Sequence, residues 1–360
     1  MSRFQVLLYL FGMSFGLSLA LVPVFRKLAL VSGITDKPSD RKVHRSPKPL
    51  LGGVAIFFAF YLTVDLNLAG LFAARHFGWL PELVHSFENV FPILQNRLLE
   101  LGCIATASSL MAFLGLIDDI RGETFSYRIK FLVQFLSIGI LFAGGVRTQF
   151  MPGTFLDYVV TAVWIVGIAN AFNLLDNMDG LSAGVAAIAS LLFVAVVFRQ
   201  QQIFVAFIFT ALAGSLLGFL PYNWYPSRIF MGDAGSLFVG YMIGTLTVVS
   251  SYRTPDTPTA IPVVIPLLIL SVPIYDTLSV LYIRWREHRP LFVGDQRHFS
   301  HRLVALGMRQ TQSVFFIYVV TLTIGIAAVL LPGAEPWESG LLLAQAVLIL
   351  SLITFLMHIK

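Results

Sequence analysis

An all-α polytopic membrane protein is the fold class this sequence predicts, and three observations predict it. Charged residues make up 12% of the chain and hydrophobic residues 57%, with a mean hydropathy of +0.82. Soluble domains carry roughly 25% charged residues, so this chain has too little polar surface to cover a globule in water. Apolar stretches long enough to span a bilayer, about 20 residues each, recur along all 360 residues. Lys and Arg also segregate into alternate loops, as orientation in a bilayer requires.

The apolar stretches run 4–25, 51–72, 98–117, 131–147, 156–174, 182–198, 203–220, 235–250, 260–282, 313–331 and 339–358, eleven in all. The stretch 131–147 is short and holds Gly144 and Gly145. Only Arg3 precedes the first stretch, which is too long for a signal peptide and has no small-residue cleavage site after it, so it reads as a span. Residues 73–97 are too polar to cross and read as an amphipathic interfacial helix or an outer loop. No repeat, low-complexity tract or soluble domain interrupts the pattern, so residues 1–360 read as a single integral-membrane domain. Cys103 is the sole cysteine, which rules out an intrachain disulfide and a cysteine-built zinc cluster.

Of the 24 Lys and Arg, 18 fall in loops 26–50, 118–130, 175–181, 221–234 and 283–312 or at the C-terminus, and 6 on the other side. The bias predicts an N-terminus outside and a C-terminus in the cytoplasm. It also assigns the net charge of +5 to membrane orientation and not to nucleic acid.

The acid- and histidine-rich motifs fall in the same basic loops. Asp118-Asp119 closes an apolar run, LGLIDD. Adjacent carboxylates suit Mg²⁺, which takes hard oxygen ligands and keeps waters or phosphates; a solvated helix cap is the plainer reading. Asn170, Asn173 and Asp176 recur every three residues on one side of a helix end. Asp179-Gly180 then marks a tight turn. This is more polarity than capping needs. In PYNWYPSRIFMGDAGS, glycines flank Asp233, and Asp233 and Ser236 open the next span. A helix N-terminus offers free N–H groups to phosphate, although a simple Asp cap has the same sequence. The segment Asp295–Arg302, DQRHFSHR, pairs two His with two Arg, which suits a diphosphate or merely an anionic lipid surface. The turn-rich loop with Arg41, His44 and Lys48 can hold a lipid phosphate or serve only as a topogenic cluster. Asp65, Asp157 and Asp276 lie within apolar segments, where a charge is costly. Asp157 is expected to be solvated at the start of a span, and Asp276 to have a structural hydrogen-bonding role. Acids for Mg²⁺, bases for diphosphate and a membrane scaffold together suit phosphoryl chemistry between a soluble nucleotide compound and a lipid.

As a set, DKPSDRKVH, LLGG, LGLIDD, NAFNLLDNMDGL, PYNWYPSRIFMGDAGSLFVGY and HFSHRL, spread over residues 36–303, resemble the polyprenyl-phosphate N-acetylhexosamine-1-phosphate transferases. That family includes the enzymes that initiate enterobacterial common antigen and teichoic acid, and the phospho-MurNAc-pentapeptide translocases. The resemblance implies transfer of a sugar 1-phosphate, GlcNAc 1-phosphate first, from a UDP-sugar to undecaprenyl phosphate. UMP is released, Mg²⁺ or Mn²⁺ is the cofactor, and a cell-envelope polysaccharide such as lipopolysaccharide or teichoic acid is begun. It implies a bacterial inner membrane, an active site facing the cytoplasm and a homodimer. Carried over by motif, Asp118 and Asp119 match the paired acids, with Asp118 orienting or deprotonating the lipid phosphate and contributing to the metal site. Asp176 and Asp179 match the second acidic motif, with Asn173 beside it at the substrate. Asp233 matches the principal metal ligand. Asn223 and Phe230 match positions lining the uridine pocket. His298 and His301, with Arg302, match the motif that meets the diphosphate, and Arg41, His44 and Lys48 match the basic signature. Direct attack by the lipid phosphate and a covalent aspartyl-phosphate route both accord with these residues.

Two departures bear on the branch. Ser300 replaces the middle His of the common H-x-H-H pattern, though it retains a hydrogen-bond donor. The chain also lacks the three consecutive histidines and the Thr-Met-Gly-Gly loop of the pentapeptide translocases, reading Pro49-Leu-Leu-Gly52-Gly53 instead. The lack of those translocase features, together with the Arg-Lys-x-His signature kept at 41–44, favours the UDP-HexNAc branch. A lipid or sugar transporter would place acids near the bilayer midplane and often carry pseudo-repeats; here the acids gather at span ends and no repeat is evident.

Overall fold

The computed structural model describes residues 2–36, 47–79, 81–86, 88, 90–148, 154–252, 261–288 and 297–357. Arg41 and His44 lie outside them. Among the described residues the fold is almost wholly helical. The first helix, α1 (Arg3–Ser32), is stopped by Gly33 at φ 70°, whose N–H bonds the Ala29 carbonyl. Strands β1 (Thr35–Asp36) and β2 (Lys48–Pro49) then pair antiparallel, Asp36 opposite Lys48. Helix α2 (Gly52–Phe77) follows, and α3 (Pro81–Ser86) and α4 (Val90–Asn96) form the polar stretch before α5 (Leu98–Arg121). That stretch is thus two short helices, held to the end of α2 by Arg75 stacked 4.3 Å over the buried Phe91 ring.

Next come α6 (Tyr127–Ala143), α7 (Phe155–Leu175), α8 (Leu181–Arg199), α9 (Ile203–Asn223) and α10 (Gly232–Val249). The chain closes with α11 (Ile265–Ile269), α12 (Ser271–Arg286), α13 (Phe299–Ala305), α14 (Gln310–Leu330) and α15 (Pro336–Leu356). Nine helices among the described residues are long and apolar enough to cross a membrane: α1, α2, α5, α7, α8, α9, α10, α14 and α15.

The other two expected spans take different forms. Ser126 caps α6, accepting the Arg128 N–H at 3.3 Å, so the helix begins before residue 131. Gly144 and Gly145, the latter at φ 80°, end it early, leaving 17 residues, about 25 Å at 1.5 Å per residue. It still packs along its antiparallel neighbour α7. Gln134 and Asn170 exchange hydrogen bonds midway, and beyond the glycines the Thr148 N–H reaches Thr161 Oγ1 at 2.8 Å near the start of α7. The stretch 260–282 is broken into a short turn, α11 and α12. A proline ring clashes with the carbonyl four residues earlier; Pro273 therefore explains why α11 stops at Ile269. Asp157 corrects the expectation of a solvated carboxylate. It sits in the first turn of α7 but is 1% exposed, because residues 144–148 fold over it and Thr148 Oγ1 bonds its carbonyl at 3.1 Å.

Small residues let helices approach closely where lipid offers no hydrophobic drive for association. Ser14 and Ser18 of α1 donate to the carbonyls of Ala211 and Ser215 on α9 at 2.6 and 2.7 Å, and Gly214 and Gly218 face the α1 backbone. Helix α10 is the central post, largely buried and packed on α2, α5, α7 and α8. Its N-terminus lies where the ends of α5 and α7 and the start of α2 meet.

Candidate active site

The first turn of α10 organises the site. Both oxygens of Asp119, at the end of α5, accept backbone N–H groups from it, Asp233 at 2.8 Å and Ala234 at 3.0 Å. The sequence suggested that these N–H groups would be free for phosphate. Instead, an acid 114 residues earlier caps them. The Asp233 side chain is left to project into the site. Its Oδ1 accepts from Asn173 Nδ2 at 2.9 Å and its Oδ2 from Lys130 Nζ at 3.3 Å. Asn173 also donates to Ser236 Oγ at 2.9 Å. Asp118, 5% exposed, lies within hydrogen-bond reach of Asp233 and pairs with the same Lys130 ammonium. Two carboxylates thus face one another with a cation between them.

The loop after α7 brings the second pair of acids to the same end. Asp176 is partly buried, and loss of solvent, with the nearby charges of Asp233 and Asp179, pushes its carboxyl up to about 8. Asp179 turns away to accept the Ser227 N–H at 2.9 Å, which fixes the turn between α9 and α10. Asn223, 2% exposed, takes the Gly180 N–H on Oδ1 and donates Nδ2 to the Ile229 carbonyl, both at 3.0 Å. Asn223 thereby ties the turn after Asp179 to the segment before α10 and shapes the wall of the site. Phe230 is half-buried and joined through its backbone to Pro49 and Gly52, while Lys48 donates to the Ser227 carbonyl.

The histidine segment docks on this loop. Ser300 Oγ donates to Asn177 Oδ1 at 2.6 Å, and the Ser300 carbonyl accepts from Ser313 of α14 at 3.0 Å. This gives the serine that replaces histidine a definite place: it ties the histidine segment to the second acidic motif. Ser300→Ala is expected to lower stability by about 1 kcal/mol, the usual net value of one such bond, measured as thermal unfolding of the purified protein. His298 is buried, with Nδ1 on Asp276, and its ring centre lies 6.4 Å from that of His301. Arg302 donates to Ser279 at 2.7 Å at the mouth of a groove of about 780 Å³ between α12 and α15. Arg286 and Glu287 stand at the same mouth, and Leu267, Ile274, Leu278 and Leu350 line the apolar length.

Lys130 is the member that sequence reading missed, whereas Asp276 has the hydrogen-bonding role expected of it, holding His298 and the Phe299 N–H. Lys130 had a local signal, a lone ammonium one turn inside an apolar helix. Asp276 had the signal of a carboxylate within an apolar segment.

The donor set fits a divalent cation. Among the described residues, no three His, Cys, Asp or Glu side chains form a ready cage. Mg²⁺ does not require one, since one or two carboxylates plus substrate phosphates usually suffice. Asp118 and Asp233 supply that pair, and the Lys130 ammonium lodged between them shows that positive charge is favoured there.

A family model described as glycosyl transferase family 4 matches residues 101–251, from α5 through α10. A protein of Bacillus subtilis named probable undecaprenyl-phosphate N-acetylglucosaminyl 1-phosphate transferase is 32% identical over 331 residues, 89% of this chain and 84% of that protein. The decaprenyl-phosphate N-acetylglucosaminephosphotransferase of Mycolicibacterium smegmatis is 29% identical, over 95% of this chain and 87% of its own. A phospho-N-acetylmuramoyl-pentapeptide-transferase of Bacillus pumilus is more distant, at 27% over 77% of this chain and 82% of its own. The chain belongs to glycosyl transferase family 4 and is an enzyme of its polyprenyl-phosphate N-acetylhexosamine-1-phosphate transferase group.

Proposed function

We propose that the chain transfers a HexNAc 1-phosphate, GlcNAc 1-phosphate first, from a UDP-sugar to undecaprenyl phosphate, releasing UMP and starting a cell-envelope polysaccharide. One observation carries the reading: Asp118, Asp119, Asp176, Asp179 and Asp233 gather with Lys130 at one end of a membrane bundle. The groove beside Arg302 supports a lipid substrate, with Arg286 and Arg302, beside Glu287, at its mouth for a phosphate and an apolar length suited to an isoprenoid chain. Counting α6 and the α11–α12 segment with the nine long helices gives eleven crossings. With 18 of 24 basic residues on the side of the site, that side is the cytoplasm of a bacterial inner membrane, where UDP-sugars are found. The whole chain, 1–360, acts as one domain.

Mg²⁺, or Mn²⁺, held by Asp118 and Asp233, would neutralise charge on the diphosphate. The chain's own groups do the rest. Lys130 and Arg302 offer cationic donors to phosphate oxygens. Asp118 orients the lipid phosphate more than it deprotonates it, because a phosphate monoester is already largely ionised near neutral pH. A lipid-phosphate oxygen forms a bond to the β-phosphorus of the UDP-sugar. The bond from that phosphorus to the bridging oxygen breaks, and UMP leaves with the oxygen. Catalysis of this kind is mainly positioning and electrostatics.

The test is UMP release by the purified protein with undecaprenyl phosphate, Mg²⁺ and a panel of UDP-sugars that includes UDP-MurNAc-pentapeptide. Turnover with a UDP-HexNAc is expected. Turnover with the pentapeptide substrate alone moves the chain to the translocase branch, and no UMP from any donor sinks the proposal.

A further inference from the structure

Asp276 is a buried carboxylate in α12, 1% exposed, with both oxygens engaged by one short segment. Oδ2 lies 2.9 Å from His298 Nδ1, and Oδ1 accepts the Phe299 N–H at 2.5 Å. A charge taken out of water must be hydrogen-bonded, and an ionised carboxylate can only accept. With Asp276 ionised, the proton between it and His298 sits on Nδ1. This fixes the ring's tautomer and leaves Nε2 as its other face. The same contact sets the ring's direction, because the Phe299 N–H locks the carboxylate plane at the start of α13. On the opposite side, Ser300 is tied to Asn177 of the second acidic motif. The histidine segment is thus pinned between α12 and the acid-bearing loop after α7.

We infer that Asp276 is a positioning residue of the transfer reaction, holding His298 as the Nδ1–H tautomer so that Nε2 meets the diphosphate. The inference rests on the function proposed above. Asp276→Asn separates positioning from packing, because Asn has the same shape. Its carbonyl can serve the Phe299 N–H only by turning its NH₂ toward Nδ1. The imidazole must then accept at Nδ1 and carry its proton on Nε2.

The experiment joins a spectroscopic and a kinetic readout on the full chain in detergent or nanodiscs. Nitrogen-15 histidine spectra, with His298→Ala to assign the signal, should show Nδ1–H in the wild type and Nε2–H in Asp276→Asn. UMP release should fall about 10- to 1,000-fold in kcat, short of the roughly 10⁴-fold lost when the carboxylate orienting a general-base imidazole is neutralised, with KM for the UDP-sugar changed less than about 3-fold. Asp276→Glu should recover part of the loss, and adding Asp276→Asn to His298→Ala should cost little more than His298→Ala alone. An Nε2–H wild type, a kcat for Asp276→Asn within about twofold of wild type, or losses that multiply in the double variant each overturn the inference. A wild-type chain that releases no UMP overturns the proposed reaction and the transfer role with it. That result is distinct, since the tautomer is then still read from the spectrum.

Discussion

Asp233→Asn is expected to lower UMP release by at least roughly 10²–10³-fold, the range seen when one preorganised electrostatic partner of a transition state is removed. Asn preserves the shape of the side chain and can still face Asn173 and Lys130. Two features should keep the fold intact. Asp119 caps α10 through the backbone N–H groups of Asp233 and Ala234 and does not use the Asp233 side chain. The Asp233 carboxylate also lies at the end of the bundle, away from the apolar packing of α10. Membrane insertion and thermal stability should therefore stay close to wild type while activity disappears. Titration of Mn²⁺ into the purified variant, followed by electron paramagnetic resonance, gives a second readout, with weaker binding expected. Full activity together with unchanged Mn²⁺ affinity would remove Asp233 from the metal site.

The membrane architecture was legible because composition and span length are local properties that a bilayer constrains directly. The gathering of Asp118, Asp176 and Asp233 was legible for a related reason, since motifs at alternate span ends must fall on one side. What stayed hidden were partnerships between distant residues. DD at a helix end reads as two equivalent acids. Only the fold separates them, turning Asp119 onto the N–H groups of α10 and Asp118 toward Lys130. Asn223 enters the expected site by resemblance alone, and only the fold shows that it ties the Gly180 N–H to the Ile229 carbonyl. Asp276 precedes His298 by 22 residues, and part of the intervening chain lies outside the described residues. Asp157 was misread for the opposite reason. Its place at the start of a helix suggested water, but the turn ending α6 covers it.

Gly115→Ala is the second large effect expected. A Cβ on Gly115 would lie 2.2 Å from the Asp233 carbonyl oxygen and 2.4 Å from the Ala234 nitrogen, both backbone atoms of the first turn of α10. Flexible side chains could yield to a methyl group; this backbone can do so only by moving α10. From the other side, a Cβ on Gly53 would lie 2.1 Å from the Gly235 nitrogen, and the Gly53 N–H bonds the Met231 carbonyl at 2.8 Å, so α2 blocks that movement. Gly115 and Asp119 stand four residues apart, on one face of α5. Any retreat of α5 from α10 therefore also pulls Asp119 off its cap. Overpacking of this kind costs about 1–3 kcal/mol, and a shift of about 1 Å at a reacting group can cost on the order of 10²-fold in rate. The expected outcome is a moderate fall in thermal stability with a kcat loss of about 100-fold. Gly102→Ala, on the same helix with nothing within 4 Å of its Cβ, provides the control. It should be neutral or slightly stabilising, since Ala favours helix over Gly by roughly 1 kcal/mol. If the two variants behave alike in UMP release, backbone contact between α5 and α10 does not set the position of Asp233.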